Sequence, residues 1–109
     1  MKAESPAAPC KVTMQYRSGA GKVFELEVAG RMLDVHITPR EGSDASGPWQ
    51  VAAHDRRGAD AVVISETGAT RDEALEKVGA AWDAQALERR LTTFDWSAVT
   101  STLRAIRAI

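Results

Sequence analysis

The sequence has little cysteine, no long apolar run and no excess of either charge. Cys10 is the only cysteine among 109 residues, so an internal disulfide cannot form and a disulfide-stapled scaffold is excluded. A lone thiol is typical of a reducing compartment, and we expect a cytoplasmic protein. The first ten residues, "MKAESPAAPC", lack the apolar segment of a secretory signal or lipid anchor, and no apolar run approaches membrane-spanning length.

The charge balance is nearly even, with 14 basic and 15 acidic side chains and a formal net charge of -1 at pH 7. Proteins that bind the phosphate backbone of nucleic acids normally carry a strong positive excess, so this balance argues against nucleic acid as the main partner. The phosphate-binding, nucleophile-elbow and zinc-helix motifs are absent from the sequence. We therefore expect no enzyme activity, no cofactor and no metal.

What is present is a series of strand patterns followed by helix patterns in one domain at 10–109. Residues 1–9, rich in Ala, Pro, Ser and charge, predict a flexible tail. "CKVTMQYRS" alternates apolar with polar residues and predicts a first strand. The residues on its apolar side are Val12, Met14 and Tyr16.

The stretch "FELEVAGRMLDVHI", residues 24–37, predicts a hairpin. A loop of two or four residues centred on Ala29 and Gly30 brings apolar residues opposite one another across the two strands. The apolar pairs are Leu26 with Leu33 and Phe24 with Val35.

A predicted loop and a second hairpin follow. "TPREGSDASGP", residues 38–48, has the proline and glycine content of a long mobile loop. "WQVAAHD" and "AVVISE" then predict two strands joined by a turn at "DRRGAD". The last strand alternates least, so the pattern leaves open which side of residues 61–66 is buried.

Two helices end the chain. Thr70 and Glu73 have the spacing of a capping box, and an apolar stripe of Leu75, Val78, Gly79, Trp82 and Ala86 follows. Asp95 is a good N-cap for a second helix. Its apolar side consists of Trp96, Val99, Leu103 and Ile106. This order predicts an α+β domain, an antiparallel four- or five-stranded meander sheet with both C-terminal helices packed on one face and the other face open.

Residues 48–84 contain the phrase G-x-T-x-x-E-A-L, formed by Gly68, Thr70, Glu73, Ala74 and Leu75. This segment resembles the β-β-α unit of HicB-like and double-stranded-RNA-binding-like folds, in which such a phrase starts the packing helix. The resemblance covers about a third of the chain and implies topology alone, because these residues cap and pack a helix. An RNA-binding relative would start this helix with lysines, whereas this one starts with Arg71, Asp72 and Glu73, which argues against RNA.

Acidic side chains line the outward phase of the first predicted hairpin: Glu25, Glu27, Asp34 and His36. Glu25 lies opposite Asp34 in the predicted register, and opposed like charges cost up to about 1 kcal/mol. They are either solvated carboxylates bridged by Lys11 or Arg17, or a docking surface for a basic partner. A metal site at Glu25, Asp34 and His36 lacks a second histidine or a cysteine to complete it. Trp49, after the predicted loop, is a candidate aromatic at the rim of a docking surface.

Arginines form small groups that could make a basic patch: Arg56, Arg57, Arg89, Arg90, Arg104 and Arg107. Arg104 and Arg107 are three residues apart and share a helix face in the prediction. If the helix ends adjoin, these guanidinium groups could bind phosphate or an acidic protein surface. Otherwise they are solvated helix ends.

The function that fits these observations is a non-catalytic protein-protein interaction or regulatory module. It would dock a protein through its open sheet face or an exposed edge strand at 11–17, and that edge could also pair with a second copy to form a homodimer. The alternative is a nucleic-acid-binding module that uses the arginines of the second hairpin turn and the helix ends.

Overall fold

A computed structural model describes residues 10–44, 47–55, 62–89 and 93–109, with only the backbone described at 40–44 and 47. The elements are β1 (Cys10–Ser18), β2 (Gly21–Val28), β3 (Arg31–Asp44), β4 (Gly47–Asp55), β5 (Val62–Gly68), α1 (Arg71–Arg89) and α2 (Trp96–Ala105). The strands form one antiparallel sheet in chain order, which confirms the predicted α+β meander in its five-stranded form. The tail predicted at residues 1–9 lies outside the described residues.

The predicted register of the first hairpin is confirmed. β2 and β3 pair Leu26 with Leu33, Phe24 with Val35 and Glu25 with Asp34. Ala29 and Gly30 form a two-residue turn in which both φ angles are positive, 52° and 84°. This is the signature of a type I′ turn, whose twist matches that of the flanking strands.

The loop predicted over residues 38–48 is wrong for most of its length. β3 continues to Asp44 and β4 begins at Gly47, so the two strands form a long hairpin in which Pro39 pairs with Trp49. β2 pairs with β3 only as far as Lys22 with Ile37. Beyond that point the described strands give β3 a neighbour on one side only, and a strand with a free edge tolerates a proline.

The first strand contains an irregularity that the alternating pattern hides. Val12 pairs with Leu26 and packs against the core, but the register shifts before Met14, which pairs with Glu25. One extra residue exchanges the two faces of the strand beyond it. The prediction that Met14 and Tyr16 share the buried side with Val12 is therefore wrong, because they are 54% and 46% exposed.

Both helices pack on the same face of the sheet. The whole predicted stripe of α1 is buried, and Trp82 contacts the rings of Phe94 and Trp96 at centroid distances of 5.5 and 5.9 Å. The sheet contributes Leu26, Leu33, Val35, Val51, Ala53 and Ile64 to the same core. The orientation of β5 is thereby settled, with Val62 and Ile64 toward the helices and Val63 outward.

The predicted helix caps are confirmed. The Glu73 backbone N–H donates to Thr70 Oγ1 at 3.0 Å, and Glu73 Oε1 accepts from the Ala69 N–H at 2.6 Å. At the start of α2 the Ala98 N–H donates to Asp95 Oδ1 at 3.1 Å. These side chains satisfy N–H groups that have no partner within the helix.

The end of α2 differs from the prediction. Ile106 is 42% exposed because α2 ends at Ala105 and the chain turns at Arg107, whose φ is 62°. The N–H groups of Arg107 and Ala108 donate to the carbonyl oxygens of Arg104 and Leu103 at 3.0 and 2.8 Å. This is a Schellman motif with an arginine at the position that favours glycine, and it buries Ala108 instead of Ile106. Neither described helix is long and apolar enough to cross a membrane.

Candidate binding surfaces

The side of the sheet away from the helices, called the open face below, carries most of the predicted docking residues. Since neighbouring residues of a strand alternate between faces, the pairing of β2 with β3 puts Glu25, Glu27, Asp34 and His36 there together. The pairing also places His54 beside Asp34 and Lys11 beside Glu27. The structure thus brings four of the five predicted docking residues onto one surface.

The carboxylates of the open face have partners within the chain. Lys11 Nζ lies 3.3 Å from Glu27 Oε1, which supports the interpretation that β1 bridges part of the row. Asp34 is 7% exposed, and its Oδ2 lies 3.7 Å from His54 Nδ1. Asp34 is therefore a buried member of the surface, and the half-buried Glu25 and Glu27 are the carboxylates that a partner could reach.

Apolar side chains frame this polar centre at both edges of the sheet. Met14 and Tyr16 on β1 are about half exposed, and Val63 on β5 is 60% exposed. All three lie on the open face by their pairing with Glu25, Val23 and His54. The sequence pattern missed Met14 and Tyr16, because the irregularity in β1 turns them from the expected core side to the surface.

Trp49 does not belong to this group. It pairs with Pro39 and Gly68 and packs against the core on the helix-covered side. The guanidinium carbon of Arg71 lies 4.8 Å from the centroid of its ring, a cation–π contact at the start of α1. The predicted rim aromatic is thus on the opposite side of the sheet from Glu25 and His36.

Trp49 instead lines a cleft at the end of the helical layer, where α1 begins and α2 ends. We call it the basic cleft because four cationic side chains line it: Arg17, Lys22, Arg71 and Arg107. It has a volume of about 150 Å³ and an apolar floor that includes Phe24, Ile37 and Ala108. None of the four cations forms an ion pair with a carboxylate in the described part of the chain.

The described members of the predicted basic patch do not lie together. Arg104 forms an ion pair with Asp72, in which its Nη2 donates to Oδ1 and Oδ2 at 3.0 and 2.9 Å. Arg89 lies in the last turn of α1 and bonds to Gln85. Arg107 leaves the face of Arg104, because the helix ends before it, and enters the basic cleft. The remaining members, Arg56, Arg57 and Arg90, lie outside the described residues.

A buried ion pair at the other end of the helix-covered side was missed by the sequence patterns. Arg31 Nη2 lies 2.6 Å from Asp55 Oδ2, and the two side chains are 16% and 11% exposed. The guanidinium group also lies over the ring of Phe94, 4.5 Å from its centroid. Arg31 and Asp55 lie at strand ends, at positions that alternation places on the apolar side of β3 and β4. A charged residue at such a position is the signal that could have identified them.

Two further features bear on chemistry. Burial raises the pKa of the Cys10 thiol; a hydrogen bond with Thr102 opposes this, and the charge of Asp95 adds to it. A thiol with a raised pKa is a poor nucleophile at neutral pH. Within residues 10–44, 47–55, 62–89 and 93–109, no group of three or more His, Cys, Asp or Glu side chains is placed to hold a metal ion.

A scan against protein-family models, a search of curated proteins and a search of solved structures each found no match to this chain.

Proposed function

We propose that this chain is a non-catalytic protein-interaction module that binds a partner through the open face of its sheet. The observation that carries the proposal is the exposure of Met14, Tyr16 and Val63 on a face that no described helix covers. Tyrosine and methionine are enriched in protein–protein interfaces relative to the rest of the protein surface. That the module is cytoplasmic and has no enzymatic activity stays a prediction from the sequence.

The charges of the open face support a partner with basic side chains. Glu25, Glu27 and Asp34 contribute three carboxylates, and Lys11 contributes one ammonium group. The apolar edges and the net negative centre together fit an extended segment that alternates apolar with basic side chains. A strand-like segment of this kind could also add to the sheet at β1.

The edge of β1 is open over part of its length. Near its start the Thr102 hydroxyl of α2 donates to the carbonyl oxygen of Cys10 at 3.3 Å, so α2 occupies this part of the edge. At the irregularity Thr13 Oγ1 donates to the carbonyl oxygen of Glu25 at 3.1 Å. Strand addition, or pairing with a second copy, is therefore confined to the part that carries Met14 and Tyr16.

The test is an NMR titration with a synthetic peptide of alternating valine and lysine, compared with the same peptide in which glutamate replaces lysine. We expect amide shifts at residues of the open face with the lysine peptide, and much weaker binding of the glutamate peptide. The double variant Met14→Ser, Tyr16→Ser should weaken binding at least about tenfold, because tyrosine contacts often dominate interfaces.

Matched controls distinguish binding at the open face from nonspecific binding to exposed apolar side chains. Leu87 on α1 is 87% exposed, so Leu87→Ser removes a more exposed apolar side chain from elsewhere and should leave peptide binding unchanged. Glu25→Gln with Glu27→Gln should reduce the preference for lysine over glutamate while the thermal midpoint changes little. Equal weakening by Leu87→Ser, or shifts away from the open face, would contradict the proposal.

A further inference from the structure

The basic cleft lies on the other side of the sheet and is independent of the proposed docking surface. We propose that it binds a small organic phosphate, with the phosphate among the four cations and the organic part on the apolar floor.

Among the described side chains that line the cleft, all the charged ones are cationic. Arg17, Lys22, Arg71 and Arg107 converge on it, in a protein whose overall formal charge is -1. A phosphate monoester carries a charge of about -1.5 to -2 at pH 7, whereas a carboxylate carries a single charge. Arginine also presents a planar fork that matches phosphate oxygens in two-point contacts. The cleft therefore favours a phosphate over a carboxylate.

One of the cations is held in place before any ligand arrives. Arg71 is half-buried and its guanidinium group stacks on the ring of Trp49. Such a contact removes part of the side-chain freedom that binding would otherwise have to restrict. Two backbone N–H groups near the start of α1 are already used, since Ala69 donates to Glu73 Oε1 and Glu73 donates to Thr70 Oγ1. The anion is thus expected to bind side chains rather than the helix terminus.

The floor and the size of the cleft restrict the rest of the ligand. Phe24, Ile37 and Ala108 are all less than a tenth exposed, so the floor is part of the packed core and does not rearrange easily. A volume of about 150 Å³ is below the range of about 300 to 1,000 Å³ that holds drug-sized ligands. These dimensions fit a monophosphate with one small apolar group and exclude full burial of a nucleoside triphosphate.

The position of Arg107 is consistent with such a role. Its backbone has a φ of 62°, in the left-handed region that favours glycine, and an arginine there places a cation in the cleft. Backbone strain of this kind is often found where a side chain serves binding.

The experiment is an NMR titration of the full chain with phenyl phosphate, inorganic phosphate, benzoate and phenol. We expect phenyl phosphate to bind most tightly, with shifts at Trp49, Arg71 and Ala108, and phenol to bind least. Binding should weaken as salt rises, because the cations at the rim are exposed. Arg17→Glu should lower the affinity for phenyl phosphate at least tenfold.

The control is Arg89→Glu, which makes the same change of charge on an exposed arginine at the far end of α1. It should leave phenyl phosphate binding within about twofold of the original, because rim charges are screened over such distances. Equal weakening by Arg89→Glu, equal binding of benzoate and phenyl phosphate, or no binding at millimolar concentration would each overturn the proposal.

Two more measurements complete the test. A single-stranded oligonucleotide that bound more tightly than phenyl phosphate, with shifts extending to Arg89, would overturn the small-ligand assignment in favour of a nucleic-acid interface. Met14→Ser with Tyr16→Ser should leave phenyl phosphate binding unchanged. The outcome at the basic cleft is therefore distinguishable from the outcome at the open face.

Discussion

At the two ends of the helix-covered side of the sheet, positively charged side chains have different surroundings. At the turn between β2 and β3, Arg31 is partly buried against Phe94 and paired with Asp55 at 2.6 Å. At the turn between β1 and β2, about 20 Å away along β2, Arg17 and Lys22 enter a cleft in which no described carboxylate pairs with them. Both ends place charged residues on the apolar side of the sheet, but among the described residues only the Arg31 end supplies a counter-charge.

The difference follows from the free-energy cost of burying a charged group. A guanidinium group removed from water costs several kcal/mol unless it has an anionic partner, and Arg31 is only 16% exposed. Arg17, Lys22 and Arg107 are exposed and stay hydrated, so the fold requires no partner for them. The Arg31 end is therefore interpreted as a part of the folding core, and the basic cleft as a surface where the proposed phosphate ligand would supply the counter-charge.

The largest effect is expected from breaking the buried pair. Arg31→Met keeps an apolar stem against Phe94 but leaves Asp55 without this partner, and we expect the free energy of unfolding to fall by about 3 kcal/mol. Chemical denaturation measures it. Arg17→Met in the basic cleft is the matched substitution and should change stability by less than about 0.5 kcal/mol. Equal losses for the two variants would remove the distinction between the ends.

The comparison also shows where sequence reasoning succeeds. The register of β2 with β3 was predictable because a slip of one residue would move Leu26 and Leu33 out of the core. The α1 stripe and the Asp95 cap were predictable for similar reasons, since each is set by local spacing. These features fix the fold and place Glu25 and His36 on the open face.

The basic cleft was not predictable from the same rules. The sequence of β1 alternates between apolar and polar residues, but the extra residue exchanges the two faces of the strand beyond Val12. Alternation alone therefore predicts the wrong side of the sheet for Arg17. The contact of Arg71 with Trp49 depends on the pairing of Trp49 with Gly68, across two elements that no local pattern relates. The long β3–β4 hairpin was missed because proline and glycine content predicts a loop and does not indicate that a strand pairs with a single neighbour.

A second prediction uses Ala29 and Arg107, one at each end, which are the residues other than glycine with a positive φ in the described part of the chain. Arg107→Gly relieves a left-handed conformation at the end of α2 and should raise the free energy of unfolding by about 1 kcal/mol. Ala29→Asn at the type I′ turn should also be stabilising, by a smaller amount, because asparagine is favoured there.

The two substitutions should differ in binding. Arg107→Gly removes a cation from the basic cleft, and we expect it to weaken phenyl phosphate binding in the titration, whereas Ala29→Asn should not. Denaturation and titration of both variants check this. A stabilised Arg107→Gly variant with unchanged binding would show that Arg107 takes no part in the cleft.

A third and smaller effect concerns repulsion among the cleft cations. Arg17→Gln with Lys22→Gln removes two like charges that face each other across β1 and β2, so stability should rise by up to about 0.5 kcal/mol at low salt. The gain should disappear in about 1 M salt, where screening is nearly complete. Thermal midpoints at both salt concentrations check the prediction, and a loss of stability at low salt would contradict it.

The last prediction measures the electrostatics of the two ends with thiols. Burial, with a smaller contribution from Asp95, raises the pKa of Cys10, which pairs with Val28 near the Arg31 end. We therefore expect the pH dependence of its alkylation to have a midpoint above that of a free cysteine. Asp95→Asn keeps the helix cap and removes the charge, so it should lower this midpoint slightly.

The comparison thiol comes from Ala20→Cys, made together with Cys10→Ser. Ala20 is exposed and lines the basic cleft, so the cations there should favour the thiolate and place the alkylation midpoint below that of a free cysteine. Arg17→Gln with Lys22→Gln should reverse this shift, whereas Arg89→Gln should not. A lowered midpoint at the introduced thiol that depends on Arg17 and Lys22 would show that the cations of the basic cleft stabilise an anion there, whereas the raised midpoint of Cys10 reflects mainly its burial. A midpoint in the cleft above that of Cys10 would contradict this.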